Sequence, residues 1–187
     1  MSKKFWYFYI FLFVALFIFG GFFVGNRKTN KLSIALIHTP LLSQIQANET
    51  LAKVTRVADG DTIKVLIDNK EDTVRLIGID APETVDPRKP IQCFGKAASD
   101  KAKQILTGKV VVLEFDSTQG ERDKYGRLLR YVFLDGLNFN KLMISEGYAH
   151  EYTYQNNPYK YMEDFKNAQE QARKNKKGLW ADNVCSS

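Results

Sequence analysis

The sequence predicts an α+β domain of five strands and three helices, carried behind an apolar N-terminal segment long enough to cross a bilayer. Three observations lead there. Residues 5–25 contain no charged side chain, alternation of apolar and polar residues begins near Leu51, and three stretches of helical spacing end at Gly108, Gly147 and Gly178. The 187-residue chain has room for one domain of ordinary size with an appendage, and 44% hydrophobic residues suffice for a packed core.

Residues 1–4 form a basic tip, with Lys3 and Lys4 ahead of a run of 21 uncharged residues, 5–25. As a helix this run is about 32 Å long, against about 30 Å for the hydrocarbon core of a bilayer. Two readings stand: a transmembrane signal anchor, or a long signal peptide that is cleaved. A signal peptide's apolar region spans about 7–15 residues and ends at a small-residue site. This run is longer, and no A-x-A pattern follows it. Lys and Arg flank both ends, so charge does not set the orientation. Residues 26–50, interrupted by Pro40, read as a linker; 51–181 are the folded domain, and 182–187 a tail.

Residues 52–58 and 62–67 alternate on either side of Asp59-Gly60-Asp61, which predicts two half-buried strands joined by a turn in which Gly60 supplies a positive φ. A third strand is expected over 73–79, a fourth over 110–115 and a fifth over 128–134. Phe94, Ala98, Ala102 and Ile105 place a helix between the third and fourth strands. A short helix over 140–146 and a longer one over 159–176 follow. Five strands with a helix between the third and fourth fit a small closed barrel of the OB type.

Charge and composition exclude several chemistries. Lys and Arg total 27 against 21 Asp and Glu, a net charge of +6, but +4 of it lies in residues 1–50. The folded part is therefore nearly balanced, and net charge says little about what it binds. Cys93 and Cys185 make no CxxC pair, and His38 and His150 lie far apart, so zinc-finger spacing and paired imidazoles are absent. Carboxylates, arginines and a hard metal remain.

Three stretches gather those groups. Asp59-Gly60-Asp61-Thr62 reads alone as a turn. Arg75 interrupts an apolar strand that ends in Asp80-Ala81-Pro82-Glu83, and alternation puts Arg75, Ile77 and Ile79 on one face. A guanidinium among apolar groups needs an anionic partner, which a structural ion pair would also supply. Asp123-Lys124-Tyr125-Gly126-Arg127 reads alone as a solvated turn. Taken together, Asp61, Asp80 and Glu83 repel one another unless a cation sits among them, and oxygen-only ligands favour Ca²⁺ or Mg²⁺. Such a cation beside Arg75 and Arg127 suits phosphoryl transfer.

These motifs, in this order and with these gaps, resemble the staphylococcal nuclease (thermonuclease-like) family over residues 51–180. The carrying segments run from Asp59 to Val65 (DGDTIKV), from Arg75 to Thr84 (RLIGIDAPET) and from Asp123 to Arg127 (DKYGR). The resemblance implies a five-stranded OB-fold β-barrel with three α-helices and a Ca²⁺-dependent nuclease that cuts DNA and RNA, leaving 3′-phosphate ends. It implies Asp61, Asp80 and the Ala81 carbonyl as calcium ligands, Glu83 as general base, and Arg75 and Arg127 as phosphate-binding catalytic residues. Lys124 and Tyr125 then contact the neighbouring phosphate, and Tyr152 and Tyr154 flank the nucleotide base. Stacking on tyrosine holds a base without reading its identity, which fits low sequence selectivity; single strands are the expected preference. The expected setting is a monomer, single-pass in the cell membrane with its catalytic domain outside the cytoplasm, or secreted if the segment is cleaved. In an oxidising exterior Cys93 and Cys185 would pin the tail as a disulfide; otherwise they are unrelated thiols. The rival reading is a membrane-tethered OB-fold module that binds nucleic acid without cutting it.

Overall fold

The computed structural model describes residues 48–84 and 92–185; the expected bilayer span at 5–25 lies outside them. No helix among the described residues is long and apolar enough to cross a membrane. The first strand, β1 (Glu49–Asp59), starts within the segment expected as linker and buries Ala52, Val54 and Val57. Register shifts between Val54 and Arg56, and again between Val57 and Asp59, bend it. Its first half can therefore pair with β5 (Val110–Glu114) and its second half with β2 (Thr62–Ile67). β2 joins β3 (Lys70–Leu76) through Asp68 and Asn69, both at positive φ (47° and 64°), the turn geometry that matches strand twist.

β6 (Leu128–Leu134) runs antiparallel to β5 and parallel to β3, so the order β3-β2-β1-β5-β6 returns to β3 and closes a five-stranded barrel. Val54, Ile63, Val65, Val74, Leu113 and Val132 fill its interior. The short β7 (Leu137–Asn138) pairs with β6. Helix α1 (Gly95–Leu106) lies on β1, burying Ala98, Ala102 and Leu106 at helical spacing. Helix α2 (Phe139–Ser145), capped by the Asn138 side chain, lies on β6. Helix α3 (Met162–Lys174) packs on α2 through Phe165 and Ala168.

Three expectations need correction. The third strand does not run on to Ile79: it ends at Leu76, and Gly78, at φ 76°, turns the chain into β4 (Ile79–Asp80). A Cβ on Gly78 would stand 2.6 Å from the Tyr159 ring, so glycine is required by both conformation and space. Because of that turn, Arg75 shares no strand face with Ile77 and Ile79, which are both buried in the core. Gly60 has no positive φ; it is needed because a Cβ there would meet the Ala81 Cβ at 2.6 Å and the Ala98 Cβ at 3.2 Å. Finally, α3 begins at Met162, because Tyr159 leaves the helical path to bury its ring against Phe165, with its hydroxyl donating to Glu151. Cys93 and Cys185 form a disulfide, with Cα atoms 5.7 Å apart.

Candidate active site

The site is assembled where the turn at Gly78 lets the chain leave the barrel. Arg75 near the end of β3 folds back so that Nη1 donates to the carbonyls of Leu76 and Ile79, both at 2.7 Å. Those two bonds hold its Nη2 between two carboxylates, 3.3 Å from Asp61 Oδ2 and 3.1 Å from Asp80 Oδ1. Asp61 is buried at the start of β2 and accepts from the Thr62 hydroxyl and, at 2.9 Å, from the Ala81 N–H. Asp59 takes the other end of the same loop, accepting from the Thr84 hydroxyl at 2.9 Å and the Thr84 N–H at 3.2 Å. The β1–β2 turn thus holds residues 81–84, Glu83 included, at both ends.

Asp80 lies at the edge of β4, which pairs with β8 (His150–Glu151) through Ile79–Glu151 and Asp80–His150. That pairing carries the following segment to the site, and the Tyr152 N–H donates to the Gly78 carbonyl. The rings of Tyr152 and Tyr154, both about half exposed, stand 6.4 Å apart. Across from them the 123–127 loop is tied to itself. Asp123 accepts from the backbone of Tyr125 and Arg127, and from Arg127 Nε at 2.7 Å. The Arg127 guanidinium and Lys124 ammonium lie 5.3 and 5.0 Å from the exposed Tyr125 ring.

A cleft of about 670 Å³ runs between these elements, and Arg75, Asp80, Lys124, Tyr125, Arg127, Tyr152 and Tyr154 all line it. Asp61, Ala81 and Glu83 do not belong to its lining; they adjoin it through Arg75 and Asp80. More than half of the Asp80 side chain opens to solvent. Its pKa is nevertheless pushed above the ordinary carboxylate value, first by the protein packed around it. Arg75 pulls it down, and the charges of Asp61 and Glu83 push it up again. Any further cation brought to Asp61 and Asp80 would act on Asp80 in the same direction as Arg75, against that upward push.

Among the described residues no three His, Cys, Asp or Glu side chains form a metal-holding group, so Asp61, Asp80 and Glu83 do not make the one expected; the carboxylates that meet here are the pair Asp61 and Asp80, both on Arg75. That donor set contains only oxygen and suits a hard divalent ion, which keeps several waters, rather than zinc.

Sequence reasoning missed the supports of this site. Arg122 grips Asp72 of β3 with both terminal nitrogens, at 3.0 and 2.6 Å, and donates to the Gly126 carbonyl, latching the 123–127 loop onto the barrel. Asn140, fully buried in α2, accepts from Val132 N–H at 3.0 Å and donates to the Ile77 carbonyl at 2.9 Å. Nothing in apolar periodicity marks either pair, since their partners lie far off in the chain. A buried Asn inside an otherwise apolar helical stripe was the one readable signal.

Barrel and cleft together define an OB-type domain whose cationic groove ends on a pair of carboxylates. The profile described as "Staphylococcal nuclease homologue" matches residues 73–182. The thermonuclease of Staphylococcus hyicus is 48% identical over 136 residues, 73% of this chain and 79% of that protein. The thermonuclease of Staphylococcus intermedius is 45% identical over 127 residues, covering 68% and 74%. Endonuclease YncB of Bacillus subtilis is 40% identical over 127 residues, covering 67% of this chain and 59% of its own. The chain belongs to the staphylococcal nuclease family.

Proposed function

We propose that this protein is a calcium-dependent nuclease that hydrolyses phosphodiester bonds of DNA and RNA, preferring single strands and leaving 3′-phosphate ends. Family membership supports the nuclease class. The observation that carries the mechanism is the seating of Arg75: backbone carbonyls fix it between Asp61 and Asp80, in the same cleft as Arg127. Asp61, Asp80 and the Ala81 carbonyl are the residues that would hold Ca²⁺. When bound, the ion supplies positive charge to the phosphate oxygens.

In this reading the scissile phosphate lies between the two guanidiniums. Arg75 takes the oxygen nearer the carboxylates. Arg127, oriented through Nε by Asp123, offers its terminal nitrogens to the leaving side as charge builds there. Glu83 accepts a proton from the attacking water, whose oxygen bonds to phosphorus as the bond to the 5′ oxygen breaks in line; the 5′ oxygen leaves with the bonding pair and takes a proton from solvent water to become a hydroxyl. Lys124 and Tyr125 hold the next phosphate, and Tyr152 and Tyr154 flank a base.

The same reading places the domain outside the cytoplasmic membrane, anchored as a monomer through residues 5–25, or secreted once that segment is cleaved. The Cys93–Cys185 disulfide supports it, since such bonds persist in oxidising compartments. Protease added to intact cells should then remove the domain. The activity test is the purified full chain on single-stranded DNA, with calcium or with a chelator, beside Glu83→Gln. Calcium-dependent cutting that collapses in the variant is the expected result. Binding without cutting under any divalent metal overturns the reading in favour of a tethered binding module.

A further inference from the structure

The disulfide lies close to the reaction centre by way of a few backbone contacts. Cys93 follows Gln92, whose side-chain oxygen accepts from the Glu83 N–H at 2.8 Å while its own N–H donates to the Glu83 carbonyl at 3.0 Å. Gln92 thus holds both backbone groups of Glu83. The turn that carries it is closed by the Gly95 N–H donating to the Gln92 carbonyl. Gly95 is pressed onto the same loop, for a Cβ there would stand 3.0 Å from the Pro82 carbonyl and 3.2 Å from that of Glu83.

Left to itself this turn is under strain. Phe94 at its end has φ 66°, the left-handed region that a bulky residue rarely adopts, and α1 starts there with no side-chain cap. The bond from Cys93 to Cys185 fixes it from outside. Cys185 follows a segment seated on the barrel's far elements: the Leu179 N–H donates to the Gly147 carbonyl, and Trp180 packs between His150 and Arg173. The tail therefore runs from β8 and α3 to the loop that bears Glu83.

We propose that Gln92 is a positioning residue for Glu83, and that the Cys93–Cys185 disulfide keeps Gln92 in place. The proposal rests on the reading of Glu83 as the group that activates water. With its backbone held on both sides, Glu83 extends its carboxylate from one fixed place; a loosened turn lowers the fraction of time the carboxylate lies within reach of the attacking water. Phosphate binding, which belongs to Arg75 and the 123–127 loop, is untouched.

The test compares the full chain with Gln92→Ala, Gln92→Met and Cys185→Ser, in calcium, on one single-stranded DNA, well below each variant's melting temperature. Expected is a fall in kcat of about three- to tenfold, the worth of one net hydrogen bond, at unchanged KM. Gln92→Met, of similar length without an acceptor oxygen, should fall with Gln92→Ala. The Gln92→Ala/Cys185→Ser pair should be no worse than Gln92→Ala, since both act through one contact. A merely structural disulfide would lower the melting temperature and leave kcat alone. Unchanged kcat in Gln92→Ala or in Cys185→Ser, with a parent that cuts, overturns this proposal only. A parent that does not cut overturns the nuclease reading, and this proposal with it.

Discussion

Replacing Asn140 with alanine should cost this fold more than its single side chain suggests. The Asn140 amide accepts from Val132 N–H at 3.0 Å and donates to the Ile77 carbonyl at 2.9 Å; all three residues are buried. Truncation leaves one donor and one acceptor without partners and without access to water. Each such orphan costs about 1–3 kcal/mol, so the loss should be about 2–6 kcal/mol. Domains of this kind are held by about 5–15 kcal/mol in all. Urea unfolding followed by circular dichroism is the measurement. At an unchanged slope of about 2 kcal/mol per molar urea, the midpoint should fall by about 1–3 M. Because Ile77 lies between Arg75 and Asp80, DNA affinity should weaken as well. A midpoint within about 0.3 M of the parent, at equal slope, would refute the idea that this amide stitches α2 to the site.

Other outcomes follow from the same contacts. Gly60→Ala puts a Cβ 2.6 Å from that of Ala81; overpacking should cost about 1–3 kcal/mol and weaken calcium binding, read by thermal melting and calcium titration. An unchanged melting temperature and affinity would show that Ala81 yields freely. Glu83→Gln should damage turnover far more than calcium affinity, whereas Asp61→Asn should weaken both by at least tenfold; equal calcium losses in the two variants would sink that division of roles. Burial opposes ionisation of Asp116, but donors from Lys160 N–H, the Thr118 N–H and hydroxyl, and the Tyr131 hydroxyl outweigh it and hold its pKa below the usual carboxylate range. A carboxylate depressed in the folded state contributes stability above its unfolded pKa of about 3.9 and loses it as pH falls through the folded value. Asp116→Asn should therefore cost about 1.5–3 kcal/mol at neutral pH and be insensitive to that acid step, as melting curves from neutral to strongly acidic pH would show.

The barrel strands were legible because each carries its own apolar alternation, and β6 was read over 128–134 as found. The error at 73–79 has a physical origin. Arg75, Ile77 and Ile79 keep the period of two through a place where the backbone reverses, and alternation is blind to φ. The candidate site residues were readable as motifs because carboxylates and arginines stand out against apolar strands. The pairing of Arg122 with Asp72, of Gln92 with Glu83 and of Asn140 with Ile77 was not, since each bond joins elements that only the folded barrel brings together. The cysteines show the same limit: two thiols count equally in the sequence whether or not the chain brings them within bonding reach.

The parallel pairing of β3 with β6 sets Arg75 opposite Leu129, two residues from Arg127. That pairing joins residues far apart in the chain, as the pairing of β1 with β5 also does, and such steps carry a large loop-closure entropy. The two guanidiniums are therefore separate groups on separate hairpins until the ring is complete. A chain in transit, or one whose seam has opened, carries both arginines and every carboxylate yet has no place for a phosphate between them. Competence to act on a polyanion is thus a property of the closed ring rather than of any segment.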